Sequence, residues 1–135
     1  MISVATITNK SSPDIYRNIF INYLNQSYTD KELILIINRG DIDKNDTFYR
    51  HHTTYNNNGI DIYINILDEI LKERNISKSL IDTIKNNIHI HKFPANTLGD
   101  CLNKTASLAN GTYWCKFDDD DKYGRNYIEN SILYL

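Results

Sequence analysis

The hydrophobic and polar positions of this chain follow two alternating periods. Short apolar runs predict buried strands over residues 2–7, 32–37 and 112–117, and an alternation of apolar and basic residues, ended by Pro94, predicts a further strand over 88–93. Apolar residues spaced three and four apart predict helices over 13–26, from about 60, over 77–86, over 98–109 and from about 125. Residues 41–59 are polar and asparagine-rich, which predicts a loop. Strands that alternate with helices in this way are typical of one α/β domain with a mostly parallel sheet.

Local signals mark several element ends. Ser12 is the predicted N-cap of the first helix, with Pro13 at the first helical position, and Thr97 is the predicted N-cap of a later helix. Asn110-Gly111 predicts a helix C-cap. Tyr113 and Trp114 belong to a predicted strand, so we expect both aromatic side chains in the core.

Polar residues follow three of the predicted strands. Thr8-Asn9-Lys10 follows the first strand, Asn38-Arg39-Gly40-Asp41 the second, and Asp118 to Asp121 the fourth. In open α/β sheets, ligands bind outside the carboxyl ends of the strands. The pattern therefore predicts that these three segments share one rim and form a site.

Composition narrows the class of ligand. The 135 residues carry a net charge near −2, which gives no general basic field for nucleic acid or an anionic membrane. The longest apolar run, 33–37, is too short to span a bilayer, and no secretory signal is visible. The two cysteines form no CxxC pair, so a reduced, cytoplasmic protein is the simplest expectation.

Four consecutive aspartates, Asp118 to Asp121, are the strongest candidate for chemistry. Adjacent carboxylates repel one another, and hard cations such as Mg²⁺ and Mn²⁺ prefer carboxylate and phosphate oxygens. A short loop that supplies one or two carboxylates leaves coordination positions open for water and a diphosphate. A solvated acidic turn is the alternative. An EF-hand is disfavoured because Lys122 and Tyr123 occupy positions where that loop needs a ligand and a glycine.

The segment LGDCLNKTASLANGTYWCKFDDDDKYG, together with the opening strand, helix and second strand, resembles family 2 glycosyltransferases with the GT-A fold. The matching features are Gly99, Asn103, the helix end Ala109-Asn110-Gly111 with Tyr113, and the strand that runs into the aspartates. The link Gln-Ser-Tyr-x-x-Lys-Glu-Leu, at 26–33, is also typical of that family. The resemblance covers most of the chain apart from about 42–87, and it implies a Rossmann-like, three-layer α/β/α sandwich.

The resemblance implies roles for the acidic residues. Asp120 matches the ligand of a Mn²⁺ or Mg²⁺ ion that bridges the two phosphates of a nucleotide-diphospho-sugar. Asp118 matches the acid that contacts the ribose or the metal shell. Asp119 belongs to the same expected donor site, with a solvated position as its alternative.

The resemblance also implies roles outside the acidic run. Thr8 matches a residue that lines the nucleobase pocket. Asn38 stands where the family usually has an aspartate that reads the base, so the identity of the base stays open. Gly99 lies near the loop that passes the sugar-phosphate, although close helix packing would equally explain a glycine there.

The implied activity is an inverting, metal-dependent transfer of a sugar to an acceptor hydroxyl, in bacterial surface polysaccharide or glycoconjugate synthesis. No general base is identifiable, so the chain resembles the donor-binding part of a longer enzyme, truncated before an acceptor-binding half. We expect an unpaired sheet edge that permits self-association. A non-catalytic nucleotide- or metal-binding module and a nucleotidyltransferase remain as alternatives.

The histidines are weaker candidates. His51-His52 lies in the predicted polar loop, where solvent exposure is the simpler interpretation. His89 and His91 are two apart on a predicted strand and therefore share one face. No third ligand accompanies them, so packing is the expected role.

Overall fold

The computed structural model describes residues 1–38, 47–49, 61–93 and 97–133. The strands in these ranges are β1 (Ile2–Thr8), β2 (Lys31–Ile37), β3 (Thr47–Tyr49), β4 (Ile88–Lys92) and β5 (Tyr113–Lys116). The helices are α1 (Pro13–Leu24), α2 (Asp61–Glu73), α3 (Lys78–Asn86), α4 (Leu98–Leu108) and α5 (Tyr127–Ile132). Every element predicted from the hydrophobic pattern is present, and the predicted ends lie within two residues of the observed ones.

The strands form one sheet in the order β3-β4-β2-β1-β5. β1 pairs in parallel with β2 and with β5, and β2 pairs in parallel with β4. The short β3 pairs with β4 in the antiparallel direction. The prediction of an α/β fold with a mostly parallel sheet is therefore confirmed.

β3 is the one described strand that the pattern did not predict, because it lies inside the segment expected to be a loop. It contains three residues, which register opposite Ile90, His91 and Lys92 of β4. Three residues hold a single polar–apolar alternation, and that is too short a signal to distinguish a strand from a loop.

Helices cover both faces of the sheet and complete three layers. One face packs against α1, α2, α3 and α5 in the larger core, in which Phe20, Leu33 and Leu67 are fully buried. The other face packs against α4 in a smaller core of Ile34, Ile36 and Cys101. Both faces of the inner strands are covered, so β2 carries apolar residues at successive positions rather than at alternate ones.

Side chains cap two helices, and one of these caps, at Thr97, was predicted. The Thr97 hydroxyl accepts a hydrogen bond from the Asp100 amide, and Ser77 caps α3 in the same way at Leu80. Ser12 occupies the N-cap position of α1 in an extended conformation, with Pro13 at the start of the helix, but the Ser12 side chain makes no capping hydrogen bond.

Gly111 does not close α4 as a C-cap, in contrast to the prediction. Helix α4 ends at Leu108, and Ala109 is already extended. A Cβ atom on Gly111 would lie 2.6 Å from the Ser3 hydroxyl and 2.7 Å from the Met1 carbonyl oxygen. The glycine is therefore required for close approach of the chain to β1, not for a left-handed helix end.

Tyr113 and Trp114 are exposed, at 49% and 42%, so the prediction that they belong to the core is wrong. They lie on β5, the last strand on its side of the described sheet. Helix α4 packs over β1 and β2 rather than over β5. The position of a strand in the sheet, which depends on long-range pairing, decides its exposure here.

No helix in the described part of the chain combines the length and the apolar composition that crossing a membrane requires.

Candidate functional site

The candidate site lies at the point in the sheet where the connections between strands begin to run in the opposite direction. β1 continues through α1 to β2 on one side, whereas β5 lies on the other side of β1 and is reached through α4. α1 and α4 pack on opposite faces of the sheet. A crevice therefore opens beyond the carboxyl ends of β1 and β5, which is the usual ligand position in such a fold.

A cleft of about 470 Å³ occupies this position. This size falls in the range of small-molecule sites, about 300–1,000 Å³. Its lining consists of Ile7, Asn9, Lys10, Asn38, Leu98, Lys116, Asp118, Asp119 and Asp120. The structure thus brings together four of the predicted site residues on one cleft: Asn38, Asp118, Asp119 and Asp120.

Thr8 ties the end of β1 to the acidic loop. Its hydroxyl donates a hydrogen bond to Oδ2 of Asp119 over 2.8 Å and accepts one from the Lys10 amide over 3.2 Å. Thr8 is only 1% exposed, so its side chain lies below the cleft rather than on its wall. This position allows Thr8 to act on a ligand through Asp119.

Asp118 is engaged by three neighbours. Its carboxylate lies 3.2 Å from the Lys116 ammonium, and its backbone amide donates to the Tyr123 hydroxyl over 2.7 Å. Its carboxylate also shares a hydrogen bond with Asp121. That bond, with the charges of the neighbouring aspartates, raises the pKa of Asp121 above its ordinary value. The acidic run therefore carries mutual repulsion that a bound cation would relieve.

Asp120 lines the cleft, and no hydrogen bond or ion pair joins its side chain to another described residue. Its carboxylate is thus the one of the four that no described residue engages.

The described residues contain no group of three or more acidic, histidine or cysteine side chains arranged to hold a metal ion. A nucleotide-bound Mg²⁺ or Mn²⁺ does not need such a group, because one or two carboxylates suffice when phosphates and water complete the shell. Asp120, together with Asp118 on the same cleft wall, fits that requirement.

Asn38 lines the cleft, whereas Gly99 lies outside its lining. The Asn38 amide donates to the Thr8 carbonyl oxygen over 2.7 Å, which extends the β1–β2 pairing by one residue. Gly99 is exposed in the first turn of α4, next to Leu98 of the cleft wall. A Cβ atom on Gly99 would meet only the Thr97 hydroxyl, at 3.8 Å, so close packing does not explain this glycine.

Three amide side chains of α1 and its C-terminal end hold the backbone of the acidic loop. Asn18 donates to the carbonyl oxygens of Asp119 and Asp121, both over 2.9 Å. Asn22 donates to the Asp121 carbonyl oxygen over 2.8 Å and accepts from the Tyr123 amide over 3.2 Å. Gln26 donates to the Gly124 carbonyl oxygen over 2.9 Å.

These amides were not predicted as site residues. Their spacing of four places them on one helix face, which is a usable signal. Their partners, however, lie about 100 positions away in the sequence and become visible only in the fold.

The remaining sequence candidates lie outside the cleft. His91 is 7% exposed and packs edge-on against Phe93, whereas His89 lies 3.3 Å from the Glu32 carboxylate. His51-His52 and Arg39-Gly40-Asp41 lie outside the described residues.

The chain matches no protein-family model and no curated protein. Inference about its function therefore depends on the cleft and on the motifs that resemble family 2 glycosyltransferases.

Proposed function

We propose that this protein binds a nucleotide-diphospho-sugar in the cleft between β1 and β5 and serves an inverting glycosyltransferase reaction. The sugar would pass to an acceptor hydroxyl in bacterial polysaccharide or glycoconjugate synthesis. The observation that carries the proposal is the open carboxylate of Asp120, beside Asp118, on a cleft at the β1–β5 crevice. The resemblance of the strand and loop around these aspartates to family 2 enzymes supports the same assignment.

The roles proposed for the cleft residues concern binding of the nucleotide-diphospho-sugar donor. Asp120 and Asp118 would hold Mn²⁺ or Mg²⁺, which as a Lewis acid supplies neutralisation of the diphosphate leaving group. Lys10 and Lys116 line the same cleft and give phosphate oxygens a favourable field. Asn38 and Asp119 would bind the nucleoside, with Thr8 orienting Asp119. Gly99 would leave room for the backbone of α4 to approach the sugar-phosphate.

We place the reaction in the cytoplasm. Both cysteines, Cys101 and Cys115, are free thiols in the structure, which agrees with a reducing compartment.

Calorimetric titration with UDP, GDP, CDP and TDP tests the proposal, first with Mn²⁺ and then with chelator. The expected result is metal-dependent binding of one nucleotide, lost in Asp120→Asn and retained in Asp68→Asn. Asp68 is an exposed residue of α2 outside the cleft lining and controls for the loss of one negative charge. Absence of binding to all four nucleotides would refute the donor site.

A non-catalytic nucleotide-binding module is the second candidate, because no described residue takes the role of general base. The enzyme and the binding module differ in whether the bound nucleotide sugar reacts. Donor hydrolysis or sugar transfer that depends on Asp120 supports the enzyme, whereas tight binding with no turnover in the full gene product supports the binding module.

A further inference from the structure

We infer that Asn22, together with Asn18, is a positioning residue that fixes the carboxylates of the acidic loop for the ligand. The inference rests on the proposed function, since it concerns the same cleft. It assigns a role to helix α1 that the acidic motif itself does not indicate.

The backbone of the acidic loop is bound to α1, whereas its carboxylates lie at the cleft. The carbonyl oxygen of Asp121 accepts from both Asn18 and Asn22, at 2.9 and 2.8 Å, and the carbonyl oxygen of Asp119 accepts from Asn18. These bonds hold the peptide groups against α1, whereas the side chains of Asp118, Asp119 and Asp120 line the cleft.

The chemical type of the anchor is important. A cation pairs with a carboxylate, as Lys116 does with Asp118 at 3.2 Å, and so competes with a metal ion for it. Lys122 donates instead to Oδ1 of Asn18 over 2.7 Å. A neutral amide binds carbonyl oxygens and leaves the carboxylate charges unchanged. Asn22 is 5% exposed, so water has little access to compete for the bonds that it donates and accepts.

Gln26 provides an internal comparison. It is buried to a similar degree, at 4% exposed, and it also binds the segment after the aspartates. Its partners in that segment are the Gly124 carbonyl oxygen and the Ile128 amide, which lie beyond the cleft lining. It also donates, over 3.4 Å, to the Asn22 carbonyl oxygen one turn earlier, a backbone group that Asn22→Ala leaves in place. Loss of Gln26 should therefore loosen the start of α5 without moving the carboxylates.

The test measures the affinity of Mn²⁺ with each of UDP, GDP, CDP and TDP for the full chain and for Asn22→Ala, Asn18→Ala and Gln26→Ala. All titrations are made at a temperature where circular dichroism shows each variant fully folded. We expect Asn22→Ala to weaken the tightest complex by roughly tenfold or more, as a displaced ligand group does. Asn18→Ala should weaken it to a smaller extent, and Gln26→Ala should change it by less than about threefold despite lower thermal stability.

The outcomes separate this inference from the proposed function. Binding by the wild type that is unchanged in both asparagine variants would overturn the positioning role and leave the donor site in place. An equal loss in Gln26→Ala would also overturn it, because general loosening would then explain the effect. No binding by the wild type would overturn both. If Asn22→Ala does not fold, the half-buried Asn18→Ala decides the question.

Discussion

The Thr8 hydroxyl and the Asp119 carboxylate are joined by a hydrogen bond of 2.8 Å across 111 positions of sequence. Thr8 is the last residue of β1 and is buried, whereas Asp119 lines the cleft. The bond therefore links β1, an inner strand of the sheet, to the acidic loop. It also makes the orientation of Asp119 depend on the rigid sheet rather than on the loop alone.

Replacement of Thr8 by valine should weaken nucleotide binding and lower stability. The substitution removes a buried donor to a charged acceptor, which typically costs about 1.5–3 kcal/mol of unfolding free energy. Urea denaturation measures the stability, and calorimetry with Mn²⁺ and nucleotide measures the binding. Thr8→Ser keeps the hydroxyl and should restore most of the affinity.

Thr105→Val is the matched control for this prediction. Thr105 is also fully buried, and its hydroxyl donates to the Leu102 carbonyl oxygen of its own helix over 2.7 Å. The Thr105→Val variant should be less stable than the wild type but should bind nucleotide with the same affinity. Equal affinity in Thr8→Val and the wild type would show that Asp119 needs no support from β1.

Because of Glu32, the free energy of unfolding should decrease as the pH falls into the acid range. Burial opposes its charge, but hydrogen bonds from Ser3 and Asn110, with His89 nearby, hold the pKa of Glu32 below its ordinary value. A depressed pKa contributes stability above the unfolded value of about 4.3, and that contribution is lost as the pH falls through the folded value. Denaturant midpoints between pH 7 and pH 3 measure the effect.

Glu32→Gln supplies the comparison. Donors approach both carboxylate oxygens in the wild type: the Ser3 hydroxyl and the Asn110 backbone amide at Oε2, and the Asn110 side-chain amide at Oε1. An amide has one oxygen, so in either orientation its nitrogen would face a donor. We expect a loss of about 1–3 kcal/mol at pH 7 and a flatter acid profile. A variant profile parallel to that of the wild type would assign the acid sensitivity to other carboxylates.

Hydrophobic periodicity was enough to predict the layers, because β2 is a nearly continuous apolar run, β4 alternates isoleucine with polar residues, and each long helix has one apolar face. The acidic cleft could also be predicted, since Asp118 directly follows a strand end. Trp114 was misplaced because edge position is decided by which strands pair, and sequence order does not reveal that. The contacts of Asn22 were missed for a related reason: an amide on a helix shows no sign of a partner 99 positions later.

Gly99→Ala should separate stability from binding. The new methyl group would have only an ordinary contact, 3.8 Å from the Thr97 hydroxyl, and alanine favours the helix over glycine by up to about 1 kcal/mol. If the glycine admits the sugar-phosphate, the methyl group obstructs that approach. We therefore expect a slightly higher melting temperature and weaker binding of a nucleotide sugar, with the binding of the nucleoside diphosphate less affected.

Gly124→Ala controls for a glycine replacement as such, because a Cβ atom there meets nothing within 4 Å and Gly124 lies outside the cleft lining. Unchanged nucleotide-sugar affinity in Gly99→Ala would remove Gly99 from the donor site.

The outer edge of β5 should promote self-association. Among the described strands, β5 pairs with β1 alone, and it exposes Tyr113 and Trp114. An exposed edge strand with large apolar side chains favours pairing with another chain. Sedimentation velocity should show a concentration-dependent dimer that Trp114→Lys converts to monomer. Leu80→Lys, at a residue of α3 that is 50% exposed, is the control and should leave the dimer intact. A wild-type protein that sediments as a monomer at every concentration would contradict the prediction.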